Sequence, residues 1–161
     1  MIPEEVTKLM GKTGDIMIMD VEKGAIKRYA DAVGDYNPLY WDEEYAKNSR
    51  YGSIIAPPGF FGWPTRRTGA TPTFPTFAKL LDEAAATLAQ AGYNRALDGG
   101  IVYEFFQPIR AGDILTALPR IASVSEREGK SGKMLFSIIE TTYTNQNGDL
   151  VAKARHTMIY R

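Results

Sequence analysis

TFAKLLDEAAATLAQA, residues 76–91, sets Phe77, Leu80, Leu81, Ala84, Ala85, Leu88 and Ala91 along one face of a helix, with Gly92 as its stop. After Gly99-Gly100 the hydrophobic period shortens to two. IVYEFFQPI (101–109), DILTALPRIASVSER (113–127), KMLFSIIETTYTN (133–145) and DLVAKARHTMIYR (149–161) each read as a strand. Turn residues separate them: Pro108, Ala111 and Gly112, then Glu128-Gly129 and Gly132, then Asn147-Gly148, a tight-hairpin signal. One alanine-striped helix followed by a long antiparallel meander predicts an α+β fold with the sheet wrapped around the helix. One sheet and one helix leave apolar surface uncovered, so pairing with another copy or a similar chain is expected.

Upstream of that helix, residues 52–76 are broken by Gly52, Pro57, Pro58, Gly59, Gly62, Pro64, Gly69, Pro72 and Pro75. They also hold Phe60, Phe61, Trp63 and Phe74. A long irregular excursion is unusual in a compact domain and is often functional. It reads either as a loop lying over the core or as a substrate-binding flap. Further upstream, KGAIKRYADAVG (23–34) carries Ile26, Tyr29, Ala30 and Val33 at helical spacing, with Gly34 as the stop. GDIMIMDVE (14–22) is a strand candidate, and residues 3–10 hold a helical turn or two.

The composition bounds the function. The chain has 161 residues, with 19 Lys+Arg against 19 Asp+Glu. That length suits one domain, 1–161. A balanced charge with no basic stripe argues against nucleic-acid binding. There is no cysteine, which removes disulfides, thiol nucleophiles and cysteine-ligated zinc. A lone histidine, His156, makes a histidine metal site improbable, and no metal is expected. MIPEEVTKLMGK lacks the basic and apolar regions of a signal peptide, and no run of about 18 apolar residues offers a membrane span. A cytoplasmic protein is expected.

AVGDYNPLYWDEEYA, residues 32–46, is the densest group of unusual residues. Asn37-Pro38 interrupts the chain, because the residue before proline avoids the helical region. The resulting turn can hold Asp35 near Tyr40, and Asp42 can cap a short following helix. Asp and Asn before proline are also ordinary turn residues, so these residues alone leave a structural role open.

This segment resembles the hydratase motif of MaoC-like, R-specific enoyl-CoA hydratases and 3-hydroxyacyl dehydratases, in which Gly-Asp-x-Asn-Pro-aliphatic is followed by His. Gly34, Asp35, Asn37, Pro38, Leu39 and Ala46 match. SIIAPPGFF (53–61) is similar to the following segment of the dehydratase-like subgroup that works with a catalytic MaoC partner. FQPIRAGDIL (106–115) and TTYTNQNGDLVAKARHTMIYR (141–161) resemble the family's strand-turn signature and last hairpin. The resemblance implies a hotdog fold, a role in fatty acid metabolism and the reversible hydration of a trans-2-enoyl thioester. The acyl group would ride on CoA or an acyl-carrier protein, with no cofactor.

Carried over by residue, the resemblance makes Asp35 the dyad carboxylate and Asn37 the group that orients the loop or water. Gly59 becomes the backbone donor to the thioester carbonyl, since the neighbouring Pro58 has no N–H. Phe60 belongs to the same substrate-binding segment. Arg66 and Arg67 could meet CoA phosphates, or be a solvated basic pair. The departure is Tyr40 where the motif has histidine. Tyrosine, with a reference pKa near ~10, is a poor base at neutral pH. His156, on an apolar strand face, reads as a packed and satisfied residue rather than a substitute.

Two functional readings follow. The chain is the substrate-binding subunit of a heteromeric hydratase whose partner carries the Asp/His dyad, the reading that the APPGFF segment favours. Or it is a homodimer hydrating enoyl-CoA itself with Asp35 and Tyr40. A hotdog acyl-CoA thioesterase with Asp35 as general base and a non-catalytic acyl-thioester-binding module stand as alternatives. Trp41 and Tyr45 are expected to pack the helical flap, and Arg110 and Asp113 to hold a turn.

Overall fold

The computed structural model describes residues 2–64, 76–129 and 132–161. The elements run α1 (Glu4–Thr7), β1 (Met17–Asp20), α2 (Lys23–Val33), α3 (Pro38–Trp41), α4 (Glu43–Asn48), β2 (Trp63–Pro64), α5 (Thr76–Gln90), β3 (Ala96–Phe105), β4 (Ile114–Gly129), β5 (Gly132–Thr144) and β6 (Leu150–Tyr160). One antiparallel sheet has the order β2-β1-β4-β5-β6-β3. The α+β reading holds, as do the helices expected near 3–10, 23–34, 43–48 and 76–91.

The connectivity differs from a simple meander. Strands β4, β5 and β6 are sequential neighbours, but β3 pairs with β6 at the far edge instead of with β4. The cause lies in the 106–113 connection. The Gly112 N–H donates to the Val21 carbonyl at 2.8 Å, and the Val21 N–H to the Asp113 carbonyl at 2.9 Å. These bonds tie the start of β4 to the end of β1, so β4 enters the sheet beside β1 and β3 is left to cover β6. Period-two patterning sets which face a strand buries; it does not name the strand's partner. The sequence reading also starts β3 too late. Asp98 and the glycines belong to the strand, with a register irregularity between Asp98 and Ile101.

The core falls in two clusters. In the first, Leu80, Ala84 and Leu88 of α5 pack with Ile121, Leu135, Ile139 and Tyr160 of the sheet, and Val6 and Leu9 close the end. Full burial of a side chain such as Leu88 or Ile139 is worth about 1.5–3 kcal/mol. The buried stripe is narrower than predicted, since Ala85 is exposed. The side chains of Phe77 and Leu81 lie outside the described part. The second cluster joins Ile26 and Ala30 of α2 to Ile54, Ile55, Phe60 and Phe61, and to Leu115, Ala117 and Val151 of the sheet. The first half of the irregular excursion is therefore packed down. Gly62 lets it return to the sheet: its φ is +90°, and a Cβ there would meet the Asp20 carbonyl oxygen at 2.6 Å.

The opposite sheet face carries a buried carboxylate. Glu140 on β5 stands in register between Arg120 on β4 and Arg155 on β6. Its carboxylate accepts from Arg120 Nη2 at 2.8 Å and Arg155 Nε at 2.9 Å. The two ends of the sheet are unlike. β2 is two residues long, whereas β3 is a ten-residue edge with Leu97, Ile101, Val102 and Phe105 exposed. No helix among the described residues is long and apolar enough to cross a membrane.

Candidate functional site

Helix α2 ends at Gly34, whose φ of 71° turns the chain back on itself. The Asp35 N–H then donates to the Ala30 carbonyl at 2.9 Å. Asp35 Oδ1 accepts the Asn37 N–H at 3.2 Å, and Asn37 Oδ1 accepts the Leu39 N–H at 3.1 Å. Asn37 is thus the N-cap of α3, with Pro38 at its first position. Asn37-Pro38 interrupts the chain as expected: Asn37 stays outside the helical region at φ −59° and ψ 125°, and the short helix starts at Pro38. The Trp41 indole donates to the Asp35 carbonyl at 3.1 Å, which fastens the far end of that turn to its beginning. Asp42 caps α4 as expected, accepting from the Glu44 and Tyr45 N–H groups.

Asp35 lies near enough to Tyr40 for its charge to act on the phenol. Tyr40 is 7% exposed. Burial first, then the nearby Asp35 charge and then Tyr51, push its hydroxyl above the ordinary phenol value. The group at the motif's histidine position is therefore a neutral phenol at physiological pH, able to donate a hydrogen bond but not to take a proton.

Tyr40 opens onto a cleft of about 560 Å³. Its walls are Asn37 and Leu39 beside Tyr40, then Arg50 and Tyr51, then Ile55, Ala56 and Pro58, and residues 105–109. Backbone bonds hold the walls together: the Ile55 N–H reaches the Leu39 carbonyl at 3.3 Å, and the Ala56 N–H the Ile109 carbonyl at 2.8 Å. Arg110 braces the same loop by donating to the Tyr51 carbonyl and to Ser53 Oγ. With Asp113 accepting the Arg110 N–H at 2.7 Å, both residues hold the turn as expected. A wider depression of about 650 Å³ lies at 20–23 and 111–114. Its Asp113 is already engaged by Arg110 and by Gln146, and it lacks the motif residues.

The predicted substrate segment divides. Pro58 lines the cleft. Gly59, with φ +92°, sits in a turn closed by the Phe60 N–H to Pro57 carbonyl bond of 3.1 Å. Phe60 does not join the cleft wall. It is 4% exposed, in the core against Tyr29, with ring centroids 5.2 Å apart. Arg66 and Arg67, with Gly69, Pro72, Phe74 and Pro75, lie outside the described residues. Trp41 packs as expected, while Tyr45 is 53% exposed. His156 has a polar partner, Asp98 Oδ1 at 2.9 Å from its Nε2.

Sequence reasoning missed Arg50, Tyr51, Phe105, Phe106 and Gln107 as cleft residues. Nothing local marks them, because they reach the cleft through the 54–56 to 109–111 pairing, a long-range contact. Deeper in, Phe61 stacks on Tyr143 at 4.1 Å and on Phe105 at 6.0 Å. Burial raises the Tyr143 hydroxyl well above its ordinary value and raises that of Tyr103 too, so both stay neutral. The floor next to the cleft is aromatic and uncharged.

Comparison with known proteins places the chain by family and fold. The family model for the FAS1-like dehydratase domain region matches residues 8–154. The probable enoyl-CoA hydratase alpha subunit of Thermomonospora curvata is 29% identical over 136 residues, covering 83% of this chain and 43% of that protein. The chain thus spans less than half the length of that relative. Among solved structures, the ChsH1-ChsH2 complex of Mycobacterium tuberculosis superposes with a TM-score of 0.78 at 18% identity, covering 97% of this chain and 93% of the matched one. The HadBC (3R-hydroxyacyl-ACP dehydratase) complex of the same organism gives 0.63 at 23% identity, covering 94% and 96%. These structures share the curved sheet and helix predicted from the motif. The chain belongs to the FAS1-like dehydratase-domain family and has the hotdog fold of the MaoC-like dehydratases.

Proposed function

We propose that this chain is the acyl-thioester-binding subunit of a two-chain hydratase acting between 2-enoyl and 3-hydroxyacyl thioesters. The observation that carries the reading is Tyr40: the motif's proton-transferring position holds a buried phenol whose pKa is raised, not lowered. The partner hotdog subunit supplies the Asp/His dyad. Its base takes a proton from water, the hydroxyl adds to C3, and a proton is delivered to C2. This chain contributes the cleft, and the Gly59 N–H polarises the thioester carbonyl as enolate charge develops. The reaction needs no cofactor. The long apolar β3 edge supports pairing with a second hotdog chain. A relative called an alpha subunit and two-chain complexes among the fold neighbours support the heteromeric form.

A self-sufficient homodimer is the second reading. It is favoured by the half-buried Asp35, whose charge acts on the Tyr40 phenol, so that a carboxylate base and a hydrogen-bond donor could share one water. The deciding experiment is hydration of crotonyl-CoA by the purified chain, followed as loss of enoyl absorbance. Silence alone, with turnover restored by a co-purifying hotdog subunit bearing histidine, is expected. Turnover by the chain alone that Asp35→Asn abolishes selects the homodimer instead. Release of free CoA selects a thioesterase, and binding without turnover in any combination selects a binding module.

A further inference from the structure

We infer that Arg50, at the cleft in front of Tyr40, receives a phosphate of the substrate's carrier group. The inference rests on reading that cleft as the thioester site. Arg50 is the one charged side chain among the described residues lining the cleft; the polar side chains Asn37, Tyr40, Tyr51 and Gln107 are neutral. A cleft with a single cation and an otherwise neutral wall selects an anion at that point.

The other arginines braced near the sheet are engaged. Arg110 is spent on the Tyr51 carbonyl and Ser53, and Arg120 and Arg155 share Glu140. Arg50 makes no ion pair among the described residues. Its Nη2 donates to the Tyr51 hydroxyl at 2.6 Å, and its guanidinium lies 4.8 Å over the Tyr51 ring. The ring limits where the guanidinium can go, and one bond uses only part of its donor capacity. Arginine offers five N–H donors in a planar fork that matches phosphate oxygens two at a time. The Tyr51 hydroxyl accepts from Arg50, which leaves its own proton to donate to the same anion. Arg50 and Tyr51 together form a two-residue anion receptor, and Phe105 and Phe106 of the same cleft offer ring surface to the methylene stretches of the pantetheine arm.

The phosphate could belong to the phosphopantetheine arm, which CoA and carrier proteins share, or to the nucleotide end of CoA alone. Three probes separate these sources: crotonyl-CoA, crotonyl-phosphopantetheine and crotonyl-pantetheine, titrated calorimetrically into the unaltered chain and its Arg50→Gln variant. Arg50→Gln is expected to weaken both phosphate-bearing probes by roughly tenfold or more and leave crotonyl-pantetheine unchanged. A loss confined to crotonyl-CoA supports the receptor and assigns it to the nucleotide phosphates. Arg50→Lys, which keeps the charge but not the fork, is expected to recover part of the loss. Equal losses for all three probes, or none for any, overturn the proposal. Failure of the unaltered chain to bind any of the three overturns the thioester reading itself, a result distinct from the other two.

Discussion

The phenolic oxygen of Tyr29 lies 2.9 Å from the point where a Cβ on Gly59 would sit. Gly59 also has φ +92°, a backbone conformation that L side chains rarely adopt. Two separate constraints therefore demand glycine at the residue proposed to polarise the carbonyl. Gly59→Ala is expected to lower stability by about 1–3 kcal/mol in urea unfolding. Adding Tyr29→Phe removes the oxygen and leaves the next ring atom at 3.9 Å, so the double variant recovers part of the loss but not all of it. Full recovery would show that the backbone conformation costs nothing, and no recovery that the hydroxyl is not the obstacle.

Asn37 is expected to act through the helix it caps. Asn37→Ala removes the acceptor for the Leu39 N–H and should cost about 1 kcal/mol, with Tyr40 displaced because it sits on the same four-residue helix. Asn37→Asp keeps a capping oxygen and should restore stability and thioester binding together. If Asn37→Asp restored stability while binding stayed lost, the amide would have a direct role toward substrate or water.

Tyr40→His tests how complete the rest of the site is. The substitution places a group that titrates near neutrality beside Asp35, and positioned acid-base catalysis is worth about 10²–10⁴ in rate. Crotonyl-CoA hydration by the Tyr40→His chain alone is expected to rise measurably above the unaltered chain. Its rate should climb with pH through the histidine's titration. Continued silence with thioester binding intact would mean that the site lacks more than one histidine.

Glu140 should shape the acid limb of stability. Its hydrogen bond from Arg120, helped by Arg155, outweighs burial and holds the carboxyl below the ordinary carboxylate range. A depressed folded-state pKa contributes stability that is present above the unfolded value of about 4.3 and is lost as pH falls through the folded value. Glu140→Gln should cost about 1–3 kcal/mol at neutral pH, and the cost should shrink as the pH drops below that range. Unfolding midpoints measured between neutral and acidic pH decide this; a pH-independent difference would assign the loss to packing.

The helices and strand faces were legible in the sequence because each rests on local spacing. Leu80, Ala84 and Leu88 repeat at helical intervals, and Leu135 and Ile139 lie on one strand face. Asp35 beside Tyr40 was legible for a similar reason, since one short turn separates them. The place of β3 was not, because two backbone bonds between Val21 and residues 112–113 decide it, and no side-chain pattern records them. Arg50 escaped notice for the same reason: the walls of its cleft come from segments as far apart in the chain as Arg50 and Phe105. Phe60 was misplaced because an aromatic residue in a glycine- and proline-rich segment reads alike whether it faces a ligand or a core.

The unequal sheet edges bear on how a cell must make this protein. A two-residue rim at β2 gives a stray strand little to grip, but the ten residues of β3 present backbone donors and acceptors with apolar side chains between them. An unpaired copy carries a template for strand addition into any crowd of unfolded chains. On the two-chain reading proposed above, balanced production of both subunits, or swift removal of the surplus, is then a condition of solubility, and the genes for both chains are best expressed in step.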